Sequence, residues 1–342
     1  MNISYFLGAN SSSGFYSLYG SFPPGESSFL HIIKGGPGNG KSRFMRRIAA
    51  AAESRGLDVE YVLCSGDPDS LDGIYVPALN AAWCDGTSPH VTEPRIFGVT
   101  GDYVNLGRFC RQPLNGEDAR HISALSGEYK ALYGKAYGYL SAAAAIRETA
   151  PTCEFSAETA LQLTRRLGRI LDSIPSSASG TGSRRRFFSA ISCKGQLRLT
   201  ESIARMCSRV YSLPEHIVPA FMELAAKEVE SRRLSALLSP DPLEPARLSA
   251  LLLPGCSLAF VPEGWGVSGQ QPFDTEGMEL PSPTSIPEQY APAMSQAILL
   301  LAQAKSLHDQ LEAVYKPYMD FSALDAFTHS HIDTNLDKAL KP

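Results

Sequence analysis

Apolar positions recur along this chain with two different periods. Phe29-Leu-His-Ile-Ile-Lys34 is a short, nearly unbroken apolar run and predicts a buried strand. From Lys41 to Arg55 the period lengthens. Phe44, Met45, Ile48, Ala49 and Ala52 recur at helical spacing, while Arg43, Arg46 and Arg47 fall mostly off that stripe. Gly56 follows, a natural residue for leaving a helix. Residues 59–64 and 79–84 are further apolar runs and predict the second and third strands. Residues 120–149 predict a helix whose stripe of Leu125, Tyr129, Leu132, Tyr133, Tyr137 and Leu140 suits a core better than a base-stacking surface. Residues 262–292 are rich in Pro and Gly without clear period and predict a long surface loop.

Between the first strand and the first helix stands Gly35-Gly36-Pro37-Gly38-Asn39-Gly40-Lys41-Ser42, which is the G-x-x-x-x-G-K-[ST] pattern of a phosphate-binding P-loop. The order strand, glycine loop, helix places an anion at a helix N-terminus, where free N–H groups and the partial positive charge of the helix meet it. Gly35, Gly36, Pro37, Gly38, Asn39, Gly40, Lys41, Ser42 and Arg43 are the expected nucleotide contacts. Lys41 is expected at the β/γ-phosphates and the Ser42 hydroxyl on Mg²⁺.

Ligands of open α/β sheets bind beyond the carboxyl ends of strands. The third strand ends in Asp85, which fits a second Mg²⁺ ligand. The second leads to Asp67-Pro68-Asp69, which reads either as a turn or as a pair of catalytic carboxylates. Gly86 follows Asp85, where a Glu would mark a strong hydrolytic base. Water activation therefore falls to Asp67, Asp69 or His90, and His90 reads equally as a γ-phosphate sensor or a turn cap. Arg95 is expected on the surface.

At 342 residues the chain exceeds the usual size of one core, so two domains are expected. A net charge of −4 gives no basic surface for nucleic acid. No signal peptide or membrane span is legible, and the seven cysteines lack a C-x-x-C pair, so the expectation is a cytoplasmic protein with free thiols. The boundaries read as a P-loop domain over 1–172, a linker over 173–183 rich in Ser and Gly, and a second domain over 184–342. The second half restarts the first. Phe6 and Gly14 fall on Phe187 and Gly195, Asp67-Pro68 on Asp241-Pro242, Pro77 on Pro254, and Ala82-Trp83 on Ala259-Phe260. The spacing between copies shrinks from 181 to 174 over the first of these matches. Seven residues are thus expected to be missing where the second copy would carry its P-loop.

Residues 33–42, 64–73 and 85–90 together resemble a family of uncharacterised bacterial tandem P-loop NTPases, known only as ATPases of unassigned substrate. The resemblance covers nearly the whole chain, with a degenerate second P-loop here. It implies two tandem related domains of P-loop NTPase type, each a three-layer α/β/α unit with a mostly parallel sheet, and ATP binding. The leading expectation is a slow Mg²⁺-dependent ATPase coupled to conformational change. Its alternatives are a small-molecule kinase using Asp67 and Asp69, and a non-catalytic nucleotide-gated switch. ATP and GTP are not separated by the motif. A protein partner or a second copy is expected, if anywhere, on the second domain.

Overall fold

The computed structural model describes residues 2–25, 27–111, 113–150, 154–174, 182–283 and 285–337. The chain opens with strand β1 (Ile3–Phe6) and a hairpin of β2 (Gly8–Ser11) and β3 (Gly14–Ser17). The predicted first strand is β4 (Phe29–Lys34), and the predicted helix is α1 (Lys41–Glu53), which buries Phe44, Met45, Ile48, Ala49 and Ala52 as its stripe requires. Gly56, at φ 73°, turns the chain out of it. Then come β5 (Glu60–Leu63), β6 (Leu71–Val76), β7 (Ala81–Asp85), β8 (Gly101–Asn105) and the long α2 (Gly116–Glu148). Strand β6 has no counterpart in the apolar pattern. It carries Asp72 and Gly73, two strand-poor residue types, yet it is buried throughout. Gly73 is needed because a Cβ there would lie 3.0 Å from the Trp83 carbonyl oxygen of the neighbouring strand.

The same series follows again. Helix α3 (Ala157–Asp172) leads into β9 (Arg184–Arg185), the hairpin β10 (Ser189–Ser192) and β11 (Gly195–Arg198), then α4 (Thr200–Met206) and β12 (Arg209–Leu213). After these come α5 (Val218–Ser231), β13 (Leu237–Pro240), β14 (Leu248–Leu253), β15 (Leu258–Pro262), β16 (Gln270–Pro272), α6 (Tyr290–Tyr315) and α7 (Phe321–Ile332). The predicted loop over 262–292 thus contains an edge strand, β16, paired with β12. Most of the predicted linker over 173–183 lies outside the described residues.

The two six-stranded sheets have one topology. The first runs β1-β5-β6-β7-β4-β8, the second β9-β13-β14-β15-β12-β16. In each, five strands share a direction and one, β6 or β14, opposes them. The molecule is therefore α/β with two similar mixed sheets. Register refines the alignment between halves. Leu63 pairs with Leu71 and Pro240 with Leu248, each beside an irregularity at the same place. Asp67 is thereby equivalent to Glu244, not to Asp241 as the matching letters suggest. His31 pairs with Trp83 as Tyr211 pairs with Phe260. The second copy is shorter by three residues between these two strand registers, not by seven.

The layering departs from three-layer α/β/α. Side chains of one strand alternate between faces. Ile33, Ile74, Trp83 and Val104 face α1 and α7 on the outside of the first sheet. Leu213, Leu251, Leu253 and Phe260 face α5 and α3 outside the second. The opposite faces, with Leu30, Ile32, Val62 and Cys84 from one sheet and Val210, Leu252, Ala259 and Val261 from the other, join a single apolar cluster with Tyr19, Ile203 and Met206. The order is helix, sheet, sheet, helix. Packing also follows the sheets rather than the chain halves. Helix α3 precedes the second sheet's strands but seals that sheet through Leu163, Leu167 and Leu171. Helix α7, at the far end of the chain, seals the first through Leu324 and Ile332. Between the halves, Phe6 and Phe187 donate backbone N–H to one another's carbonyls at 2.9 and 3.0 Å. These residues are equivalent in the two copies, which is the relation residues have on a two-fold axis.

Helix α7 is tied down by a histidine that must be neutral. The Trp83 indole N–H donates to His331 Nε2 at 2.9 Å. Burial, reinforced by His31, holds His331 down at about 4. A pKa depressed on folding means that the unfolded chain takes up this proton first. The stability contribution is complete above the ordinary histidine range near 6.5 and is lost as pH falls toward 4, amounting to roughly 3 kcal/mol at most. Denaturant unfolding at pH 7 and pH 4.5 should show a smaller acid loss for His331→Gln, which accepts the indole proton without titrating, than for the wild type. Parallel curves for the two proteins would refute this coupling.

Candidate functional site

The glycine loop leaves the end of β4 and enters α1 with Gly38 at φ 69° and Gly40 at φ 80°. Both angles favour glycine, which explains two of its four glycines physically. Asn39 is buried and packs against Gly35. The Lys41 ammonium donates to the Gly35 and Gly36 carbonyls at 2.8 and 3.1 Å, folding back over the loop. It also lies 3.6 Å from Asp85 Oδ2. Asp85 ends β7, the strand adjacent to β4, and its other oxygen accepts from the Thr87 N–H and hydroxyl at 2.8 and 2.6 Å. Ser42 Oγ accepts the Leu71 N–H at 3.0 Å, so the start of β6 braces the first turn of α1. The Arg43 side chain turns away, to Asp325 of α7 at 3.0 Å.

Among the described residues, the second half has none of these groups at the matching positions. Ile33 pairs with Asp85, and at the same register Leu213 pairs with Pro262. Helix α5 begins at Val218 where α1 begins at Lys41, after Pro214 and a short turn over 215–217 without glycine. Within that turn the Glu215 carboxylate accepts the Gly264 N–H at 3.1 Å.

Asp67 and Asp69 lie in the loop between β5 and β6. Asp67 Oδ1 accepts the Asp69 N–H at 3.2 Å and the Asp67 carbonyl accepts from Ser70 at 2.8 Å, so the segment is a turn. Each carboxylate is also ion-paired to a lysine of the second half. Lys305 of α6 lies 3.3 Å from Asp67 Oδ2, and Lys194 of the β10–β11 turn meets Asp69. The Lys194 hydrogen bond holds the exposed Asp69 carboxyl below its usual range.

His90 points elsewhere. Its ring packs against Phe15 and Tyr19, and Nε2 lies 3.3 Å from Asp72 Oδ2. These partners are on the inter-sheet side and outside the glycine loop. Asp72 is buried and accepts the Tyr19 hydroxyl at 2.8 Å. Burial pushes its carboxyl up, opposed by His90, and burial likewise pushes up the Cys64 thiol. Cys64, Asp72 and His90 present ligand atoms within 4.8 Å of one another, a set of donors a divalent ion could take. The Tyr19 hydroxyl already bonds to the Asp72 carboxyl without one. Sequence spacing gives no sign of this cluster, because its members come from three separate segments.

The second half also covers the loop. A Cβ on Gly38 would lie 2.8 Å from the Glu312 carbonyl oxygen of α6, and one on Gly36 would be 4.0 Å from Tyr315. Among the described residues six cysteines are free, and no helix is long and apolar enough to cross a membrane. No protein-family model, no curated protein and no solved structure matches this chain.

Gly38→Ala tests the contact with α6. A side chain at positive φ that meets backbone should cost about 1–3 kcal/mol, read as a lower denaturation midpoint. An unchanged midpoint would mean that α6 does not rest on the loop.

Proposed function

We propose that the first half binds Mg²⁺ and a nucleoside triphosphate, ATP in the leading case, at residues 35–43, and that the chain is a slow ATPase whose nucleotide state alters the contact between its halves. The observation that carries this reading is the meeting of Lys41 with Asp85, 3.6 Å apart, where a glycine loop enters a helix beside the end of the neighbouring strand. Lys41 is held by loop carbonyls and Asp85, partners it can leave for phosphate oxygens. The loop glycines and the head of α1 supply N–H groups for the same anion. Ser42 and Asp85 are hard oxygen donors of the kind Mg²⁺ takes, and Ser42 Oγ retains capacity after accepting from Leu71. When bound, the ion would neutralise charge on the phosphate oxygens.

Slow turnover is supported by the space after Asp85. A Cβ on Gly86 would lie 2.3 Å from Ile32 Cγ2, so a glutamate base has no room there without repacking. The kinase reading draws less support. Asp67 and Asp69, the carboxylates it needs free, are each held by a second-half lysine. We assign them to the contact between halves. The same reading makes the chain a tandem P-loop protein whose second copy has lost its loop, and predicts a single nucleotide per chain.

Lys41→Ala should weaken binding of a fluorescent ATP analogue roughly 10- to 100-fold, the value of a charge-assisted hydrogen bond to phosphate. Titration of the wild type should saturate at one nucleotide per chain. Unchanged affinity in the variant would overturn the site, and saturation at two would overturn the asymmetry between halves.

A further inference from the structure

Each long helix carries a cation to the other half. Near the end of α2, the Arg147 guanidinium donates to both carboxylate oxygens of Asp241, at 3.1 and 3.0 Å, and its Nε donates to Glu244 at 2.6 Å. On α6, Lys305 reaches Asp67 at 3.3 Å. Asp67 and Glu244 are equivalent by strand register. The loops that carry them are thus each met by a cation from the other half's long helix, an arginine in one case and a lysine in the other. Arg147 is planar and held bidentately, with two carboxylates as partners, and it serves a half that has no glycine loop among the described residues. Lys305 is a point charge on a flexible stem. It pairs with Asp67 across the halves and with Asp309, one turn along its own helix.

The face of α6 that bears Lys305 runs across the intact loop. The Glu312 backbone rests on Gly38 and Tyr315 stands by Gly36. His308 lies between Lys305 and Glu312 on this face, its Nδ1 3.8 Å from the Glu312 carboxylate. Lys305 precedes Glu312 by two helical turns, about 10 Å along α6 from the residue that rests on Gly38. Lys41 and Lys305 are each held by one carboxylate across a strand end or loop, Lys41 by Asp85 and Lys305 by Asp67.

We propose that Lys305 is a ligand of the terminal phosphate of a nucleoside triphosphate bound at residues 35–43, supplied by the second half, and that it leaves Asp67 to bind that phosphate. The proposal rests on the nucleotide reading of the loop. A triphosphate presents more negative charge than one carboxylate and draws the lysine across. A diphosphate lacks the group and leaves Lys305 on Asp67. The contact between the halves then depends on which nucleotide is bound, and the degenerate half has a role that requires no loop of its own.

The test is calorimetric titration of the full chain with Mg²⁺ and either ADP or a non-hydrolysable ATP analogue, comparing wild type with Lys305→Ala, Lys305→Arg and Lys194→Ala. Lys305→Ala should lose about tenfold in affinity for the triphosphate and less than about twofold for ADP, as expected for one charge-assisted contact. Lys305→Arg should restore most of the loss, and Lys194→Ala should leave both affinities within about twofold, since its pair with Asp69 is exposed. Retained ADP binding shows that the Lys305→Ala protein is folded. If Lys305→Ala weakens both ligands equally, or neither, the assignment of Lys305 is wrong while the loop remains a nucleotide site. If the wild type binds neither ligand, the nucleotide reading fails and this proposal falls with it.

Discussion

Each sheet of this protein is apolar on both faces, and the helices α1 and α7, or α3 and α5, cover only the outer one. That constraint organises everything else. The uncovered faces must meet, and they do so through one apolar cluster contributed by both sheets. The reciprocal hydrogen bonds of Phe6 and Phe187 pin the junction at equivalent residues. Once the halves share a core, the long helices α2 and α6 pack on one another through Ala136, Ala143, Ala297 and their neighbours, small side chains that permit close approach. Each then projects a charged group over the other half's loops. The glycine loop of the first half is therefore covered by a helix of the second.

The asymmetry between copies is confined to a few positions. Strand order, bulge position and cross-half cation survive in both, because they maintain the shared core. The glycine loop and Asp85 are present in one, and Pro214 with the turn over 215–217 and Pro262 stand at the corresponding places of the other. A fold kept by packing tolerates different loops at this place, since the glycine-loop residues belong to none of the apolar clusters around the sheets. In exchange, the half without a loop provides the helix that lies over the half with one.

Legibility follows the strength of local patterns. The run 29–34, the stripe of α1 and the loop between them are readable because backbone geometry and amphipathic spacing are local properties. Strand β6 is not, because Asp72 and Gly73 are tolerated there only through Tyr19 and the close passage of β7. The layer order escapes the sequence for a related reason. An apolar run shows that both faces of a strand are buried but does not say whether a helix or another sheet buries them. The deficit in the second copy is overcounted from sequence because Asp67-Pro68 and Asp241-Pro242 match as letters, whereas hydrogen-bond register sets Asp67 against Glu244.

What the sequence determined by itself was the identity of each group and its local geometry. Glycine at 38 and 40 permits positive φ, lysine and serine follow at the head of a helix, and an apolar strand ends in Asp85. Only tertiary structure decided the company these groups keep. It set Lys41 beside Asp85, turned His90 toward Asp72, and brought Lys305 and Lys194 from a distant part of the chain onto Asp67 and Asp69. Those meetings depend on how two sheets pack and how two long helices cross, and such contacts between remote segments leave no periodic trace in the order of residues.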